Sequence, residues 1–448
     1  MKHSEFNPLF YQTNTCTPIV SHAKGIYIWD DSGKKYIDGS SGAIICNIGH
    51  GNQSVIAAIK QQAESTFFTY RTQFENVPAV RLAQRLVEHM SPGLDRVFYV
   101  SGGSEAVESA VKLCRSYYCA RKQEGKHIFI SRSPSYHGST LGALALTSYA
   151  PLEIPYRPLL KSCPKIPAPY CYRCHYGKTY PSCNLACAHA LEQEIIEQGA
   201  DNVAGFIAEP IGGASTGALV PPDDYFSVIR DICDRHDVLL IFDEVMTGFG
   251  RTGKLFAHEH WRVIPDIMAL SKGMASGYYP LGAVVTSGKI VDSVLSAGGF
   301  PHGHTYAGNP MACAVGLAVL DEIINNRLSA NAETMGRHLK SGLRKLAEKY
   351  EIIGEVRGAG LLTAIELVQD KSNRTPYGPE LAAGSMLTKA AFSQGLIIYP
   401  RRSVNGLKGD HVLIAPPIII SKTQVNDLLT ILDESLKNIE QLLKKENR

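Results

Sequence analysis

Asp266-Ile267-Met268-Ala269-Leu270-Ser271-Lys272-Gly273 is the stretch on which the fold turns. Its short apolar run reads as a buried strand, and the strand ends on a lysine. Gly273 follows at once and opens space beside the amine. Such a lysine has two readings. It is a solvated loop residue, the usual fate of lysines, or an amine held at the end of a strand to form a Schiff base. The neighbouring sequence bears on the choice, because similar strands recur and each ends on a polar group.

Arg96-Val97-Phe98-Tyr99-Val100 reads as a strand running into Ser101-Gly102-Gly103-Ser104-Glu105. A helix is expected from about Ala106 to Lys122, with Ala106, Val107, Ala110, Val111, Cys114, Tyr117 and Tyr118 on one face. His127 to Ile130 is the next strand. Val203 to Ala208 ends in Glu209-Pro210, and Val238 to Phe242 ends in Asp243-Glu244. Leu281 to Val285 follows the lysine strand. Short apolar strands separated by helices imply an α/β fold with a mostly parallel sheet covered on both faces. Ligands bind outside the carboxyl ends of such strands. Four ends carry Gly103/Ser104, Glu209, Asp243 and Lys272, which points to one site.

Composition bounds the possibilities. The 448 residues suffice for a large core and more than one domain, and 44% apolar with 19% charged residues is an ordinary globular balance. A formal charge of +3 argues against a nucleic-acid surface. Met1 to Pro8 shows no apolar signal core, and no apolar run is long enough to span a bilayer, so the expected location is the cytoplasm without membrane attachment.

The chemistry of the four strand ends is complementary. Gly102-Gly103-Ser104 lies between a strand and a helix N-terminus, where backbone N–H groups, the helix dipole and a hydroxyl suit a single phosphate; a plain turn capped by Ser104 is the alternative. Asp243, at the end of an apolar strand, needs a cationic partner: a protonated ring nitrogen, a metal or an arginine. Tyr136-His137-Gly138 offers a ring for stacking, or else a surface turn. A phosphate cradle, an acid for a ring nitrogen, a stacking aromatic and a lysine amine together describe pyridoxal phosphate. Gly248-Phe249-Gly250-Arg251-Thr252-Gly253-Lys254-Leu255 imitates a nucleotide loop, but position 255 lacks the hydroxyl for magnesium and two acids lie just upstream.

Five of the eleven cysteines fall between Cys163 and Cys187. The pairs Cys171/Cys174 and Cys183/Cys187 suggest zinc, with disulfides or free thiols as alternatives, on a Pro-rich loop excursion over 159–190.

In these motifs the chain resembles the class III (ω-) aminotransferases of the fold-type I pyridoxal phosphate enzymes. The resemblance rests on Ser101 to Ala106, Tyr136-His137-Gly138, Ala208-Glu209-Pro210, Phe242-Asp243-Glu244-Val245 with Gly248 to Gly253, Ser271-Lys272-Gly273 and His304-Thr305-Tyr306-Ala307-Gly308-Asn309-Pro310. It implies that Lys272 carries the cofactor and moves the proton, and that Asp243 pairs with the pyridine nitrogen. It also implies that Gly103 and Ser104 hold the phosphate, with Thr305 reaching the phosphate of a neighbouring subunit. Tyr136 is expected to stack on the ring with His137 beside it, Val245 to lie behind it and Glu209 near the substrate side. A homodimer is implied, with a tetramer as the alternative. So is a small α+β domain from 1–48 and 331–448 around a large domain from 49–330. Lys24 to Asp38 reads as a hairpin around Asp31-Ser32-Gly33, and Val425, Leu428, Leu429, Leu432, Leu436, Ile439 and Leu443 as one face of a helix.

The substrates expected are an ω-amino acid or small primary amine and a 2-oxo acid, with a lyase or epimerase of the same family as the competing outcome. Many relatives place an arginine just before the Pro-Pro pair; here His411 to Pro417 has none, and Arg401, Arg402 and Lys408 lie upstream. Ile44 is expected to line the pocket where some relatives carry an aromatic side chain.

Overall fold

The computed structural model describes residues 9–10, 17–403 and 409–446. Met1 to Pro8, Cys16 and Lys408 lie outside the described residues. The chain begins with β1 (Val20–Lys24), β2 (Tyr27–Asp30) and β3 (Lys35–Asp38). β2 and β3 form the expected hairpin, turned by Asp30, whose Oδ1 accepts the N–H groups of Ser32 and Lys34 at 3.0 Å each.

The central sheet has seven strands: β4 (Arg96–Val100), β5 (Ile128–Ser133), β6 (Lys165–Pro167), β7 (Val203–Ala208), β8 (Leu239–Asp243), β9 (Ile267–Leu270) and β10 (Gly282–Thr286). Their order is β4-β10-β9-β8-β7-β5-β6. Only β10 runs antiparallel to its neighbours. Side chains alternate between two covered faces, as a doubly buried sheet requires. Ile207, Ile241 and Ala269 pack with the helix Gly103–Ala120, while Phe206 and Phe242 pack with the helix Tyr225–Arg235. Truncating Phe206 or Phe242, each fully buried, would cost about 3–5 kcal/mol.

Two expectations are corrected. The helix after β4 opens at Gly103, three residues earlier than expected, because extended Gly102 is the cap and the first helical bond runs from Ala106 N–H to Gly102 C=O. The 159–190 stretch is also not wholly a loop excursion. Lys165–Pro167 joins the sheet as its edge strand, a position that tolerates proline because one side needs no donor.

The C-terminal part forms a second sheet from β11 (Ile353–Ala359), β12 (Leu362–Asp370), β15 (Tyr399–Ser403) and β16 (Gly409–Ile414). The short β13 (Thr375–Pro376) pairs with β12, and β14 (Leu396–Ile397) pairs in parallel with β3, joining the two ends of the chain. The final helix, Lys422–Glu446, buries Val425, Leu428, Leu432, Leu436, Ile439 and Leu443 as its spacing requires. No helix among the described residues is long and apolar enough to cross a membrane.

Candidate active site

The carboxyl ends of β7, β8 and β9 and the turn after β4 open on one cavity of about 150 Å³. Gly103, Ser104, Tyr136, His137, Glu209, Asp243, Val245 and Lys272 line it, together with Gly138, Ile211, Met246 and Thr247. The parallel register of β7, β8 and β9 brings the three strand ends side by side: Ala208 pairs with Phe242, and Asp243 with Ala269.

Lys272 stands in a short turn just beyond β9, with a left-handed backbone at φ +44°. It is half-buried, and its amine is pushed down to about 8, first by burial and then by Arg251 and Arg401, against the pull of Asp243 and Glu209. An amine so placed loses its proton far more readily than a surface lysine. The space expected beside it is filled from elsewhere: a Cβ on Gly273 would stand 2.4 Å from Asn47 Nδ2. The glycine therefore admits Asn47, whose Nδ2 donates to Phe249 C=O at 2.9 Å.

Asp243 is 4% exposed. Its Oδ1 accepts the Val245 N–H at 3.1 Å and its Oδ2 lies 2.8 Å from His137 Nδ1. Glu209 accepts the N–H groups of Gly213 at 2.8 Å and Tyr136 at 3.3 Å; burial raises its pKa, against the pull of His137. Ser104 Oγ accepts the Ser139 N–H at 3.0 Å. Gly138, at φ +138°, presses so close to Ser104 that a Cβ would stand 2.6 Å from its Oγ. The first-turn N–H groups of Gly103, Ser104 and Glu105 precede the first helical bond, which leaves them for an anion.

These residues fit pyridoxal phosphate on observations of the site itself. A low-pKa amine and a buried carboxylate share a cavity with an aromatic ring and the N-terminus of a helix.

Other expected residues lie elsewhere. Ile44 is 1% exposed and packs with Ile130, Phe206 and Leu413; it is not among the residues lining the cavity. Met246, partly buried against the same cluster, takes a place on the wall. Thr305 is exposed on the loop before Pro310 and does not line its own chain's cavity. Arg402 pairs with Asp410 at 3.0 Å and donates to Tyr377 C=O at 3.0 Å, so it is committed to structure. Arg401 instead stacks over Tyr399, 4.6 Å from the ring centroid, and forms no ion pair among the described residues.

The structure does not support the zinc expectation. Cys171, Cys174, Cys183 and Cys187 line one small cavity of about 20 Å³ and are free thiols. Among the described residues only Asp38, Cys46 and His50 bring three potential ligand atoms within 4.8 Å of one another. A tetrahedral thiolate site needs its sulfurs about 3.8 Å apart. Tyr170, Tyr176, Tyr180 and Leu185 share the space.

Sequence reasoning missed three groups. Arg251, read only as part of a nucleotide-like loop, is fully buried and donates to Pro416 C=O at 2.6 Å, Asn47 Oδ1 at 2.8 Å and Ser41 Oγ at 3.1 Å. It ties both chain ends to the floor of the site, which is why that loop cannot cradle a nucleotide. Glu244 is equally buried and accepts Thr247 Oγ1 at 2.6 Å and the Ala257 and His258 N–H groups at 2.8 Å each. Met246 had a signal, since it lies three residues past Asp243 on the same turn.

A family model, aminotransferase class-III, matches residues 11–436. An uncharacterised aminotransferase, YodT, of Bacillus subtilis is 40% identical over 97% of this chain and 98% of its own length. A putrescine–pyruvate aminotransferase of Pseudomonas aeruginosa is 35% identical over 92% of this chain and 89% of its own. The crystal structure of an amine transaminase from an uncultivated Pseudomonas species, in its PLP-bound form, superposes with a TM-score of 0.90 at 34% identity, covering 98% of this chain and 99% of that one. The chain belongs to the class-III aminotransferases and is a pyridoxal phosphate-dependent transaminase of fold type I.

Proposed function

We propose that the protein moves an amino group from an ω-amino acid or small primary amine to a 2-oxo acid such as pyruvate or 2-oxoglutarate. The observation that carries this is the Lys272 amine, drawn down to about 8 in a cavity it shares with Asp243. Pyridoxal phosphate, once bound, supplies the electron sink that stabilises a carbanion next to the substrate nitrogen. Lys272 Nζ would hold the cofactor aldehyde at rest and, once the substrate amine displaces it, would carry the proton from the substrate carbon to the cofactor carbon on the far side of the nitrogen. Asp243 offers a carboxylate to a protonated ring nitrogen. Gly103 and Ser104 would receive the phosphate at the helix start, Tyr136 and Val245 would flank the ring, and Glu209 would border the substrate side.

Arg401 is the residue we assign to a substrate carboxylate, and Arg402 is set aside because Asp410 occupies it. Arg401 pairs across the sheet with His411, and its strand neighbour Tyr399 packs against the same buried cluster as Met246. A carboxylate held by an arginine is worth about 1.5–3 kcal/mol.

The working unit in this reading is a homodimer. Phe67 and Tyr306 are each 63% exposed, and Phe68 lies edge-on to Tyr306 at 5.9 Å, so an apolar face flanks Thr305. Thr305 then serves the phosphate of the partner copy. The cytoplasm is the location this reading assumes.

The test is a half-reaction. The holoenzyme given an amine alone should accumulate pyridoxamine phosphate, and a 2-oxo acid should then restore the starting spectrum. A product formed with no pyridoxamine phosphate would replace the proposal with elimination or epimerisation.

A further inference from the structure

Asp38 closes β3, Cys46 follows the short helix Ser41–Ile44, and His50 pairs with Gly25 ahead of the helix Gln53–Ala63. A carboxylate oxygen, a sulfur and a ring nitrogen of these three residues lie within 4.8 Å of one another. None of the three lines the cavity of Lys272, so the transaminase chemistry makes no use of them.

Each ligand atom is carried on fixed backbone. Asp38 N–H donates to Ile26 C=O at 2.8 Å, and Gly25 and His50 exchange two N–H to C=O bonds of 2.8 Å. Cys46 N–H donates to Ser41 C=O at 3.2 Å, and Cys46 C=O accepts the Gly49 N–H at 3.1 Å. Asp38 Oδ1 accepts the N–H groups of Gly42 at 3.2 Å and Ser40 at 3.3 Å, while Oδ2 stands 3.1 Å from His50 Nε2. Asp38 is 1% exposed, whereas Cys46 and His50 are half-buried, so the group is sealed at the carboxylate and open at the other two members. Gly277 leaves room at the sulfur: a Cβ there would stand 3.3 Å from Cys46 Sγ.

A tetrahedral ion with nitrogen and oxygen ligands at about 2.0–2.1 Å keeps those ligands about 3.3 Å apart. The Asp38–His50 pair already stands close to that spacing, and Cys46 adds the kind of donor that borderline ions favour. Arg251 is the neighbouring cation and acts on both Asp38 and Cys46. Its guanidinium is directed to Pro416, Asn47 and Ser41 rather than to the carboxylate. Asp38 and a Cys46 thiolate together match the charge of a divalent ion.

We propose that Asp38, Cys46 and His50 form a site for a borderline divalent transition-metal ion, separate from the cofactor cavity, with a fourth position open to solvent. The ion seats between Asp38 Oδ2 and His50 Nε2, the imidazole hydrogen passes to Nδ1, and the Cys46 thiol releases its proton to solvent as sulfur binds. Three protein ligands hold such an ion exchangeably, so protein treated with chelator carries none and the site fills when the ion is supplied. The ligands bracket Ser41 and Asn47, which receive the Arg251 guanidinium, and Asn47 fills the space beside Gly273. A loaded site therefore ties down the segment that packs next to Lys272.

The experiment titrates cobalt(II) into chelator-treated holoenzyme carrying Cys171→Ser, Cys174→Ser, Cys183→Ser and Cys187→Ser, so that those thiols do not compete. The same chain is then measured with Cys46→Ser or His50→Gln added. Tetrahedral cobalt absorbs in the red, clear of the cofactor and far more strongly than the octahedral aquo ion, and a bound thiolate adds a charge-transfer band. The expected result is one cobalt per chain at a roughly micromolar dissociation constant, a tetrahedral spectrum with the thiolate band, and a raised thermal midpoint. Cys46→Ser should weaken binding by about tenfold or more and abolish the thiolate band, and His50→Gln should weaken it by a similar factor. If His50→Gln does not fold, the isosteric Cys46→Ser decides by itself. Binding unchanged by Cys46→Ser, an octahedral spectrum, or no binding short of millimolar cobalt would overturn the proposal and leave Asp38 and His50 as a plain hydrogen-bonded pair.

Discussion

Two groups of reactive side chains stand out along the chain, and only one of them converges. Lys272, Asp243, Glu209 and Ser104 are separated by up to 168 positions, yet they line one cavity. Cys171, Cys174, Cys183 and Cys187 lie within 16 positions of one another, yet no three of their sulfurs come within 4.8 Å. The first set is attached to strand ends whose spacing is dictated by sheet hydrogen bonds. The second is spread over a short helical turn, the loop after it and the first turn of the helix Ala186–Gln198, with no shared strand ladder to set the distances between the sulfurs. Closeness in sequence is a poorer guide to a shared site than attachment to a common rigid element.

The largest test of that contrast is Lys272→Ala. Turnover should fall by about 10⁴-fold or more, because proton transfer and covalent capture go together. Borohydride should no longer fix the cofactor to the chain. Residual turnover within tenfold of the wild type would remove the first region's claim to be the site.

Next in size is the junction between the two regions. Arg357 pairs with Glu366 at 2.6 Å and Glu355 at 2.7 Å, and donates to Gly217 C=O at 2.6 Å and Thr216 C=O at 2.9 Å. Tyr170, at the start of the cysteine segment, donates to Glu366 Oε2 at 2.5 Å, and Arg173 also binds Glu366. Glu366→Leu leaves buried Arg357 without its innermost partner and should cost about 3–5 kcal/mol in chemical unfolding. Adding Arg357→Met should recover much of that loss, and failure to do so would show that packing, not charge, joins the regions.

The pH dependence of cofactor capture is a smaller effect. The Lys272 amine titrates at about 8, below the 10.5 of an ordinary lysine. Only the neutral amine attacks an aldehyde, so capture by the apo-protein should speed up with pH to about 8 and then level off. An increase continuing towards pH 10 in stopped-flow absorbance would mean that the amine is not desolvated.

The smallest change is expected in the cysteine segment. Replacing Cys171, Cys174, Cys183 and Cys187 together with serine should alter stability by about 1 kcal/mol at most. Elemental analysis of the wild type should find no stoichiometric metal. One zinc per chain, lost in the variant, would make the second region a metal centre and erase the contrast.

Much of the site was legible because its signals are local. An apolar run closed by Glu209, Asp243 or Lys272 records a buried strand and its polar tip within six or seven residues, and the βα pattern then implies the sheet. Residues whose roles depend on distant partners were not legible. Nothing near Arg251 announces that it will be sealed against Pro416 and Asn47, and nothing near Gly273 announces that Asn47 will occupy the space beside it. Arg401 and Arg402 are adjacent in sequence, and only the partner of each separates them.

Neighbouring residues were enough to specify the central strands that carry the site, their polar ends, the family and the cofactor, because hydrophobic periodicity and short motifs are local properties. Packing between remote segments set His137 facing Asp243, Ile44 in the core, Arg402 on Asp410, and the four thiols around one small cavity with no three sulfurs near enough to share an ion. Each of those outcomes is a contact between segments remote along the chain, set by how whole sheets and loops pack once their own local preferences are already satisfied.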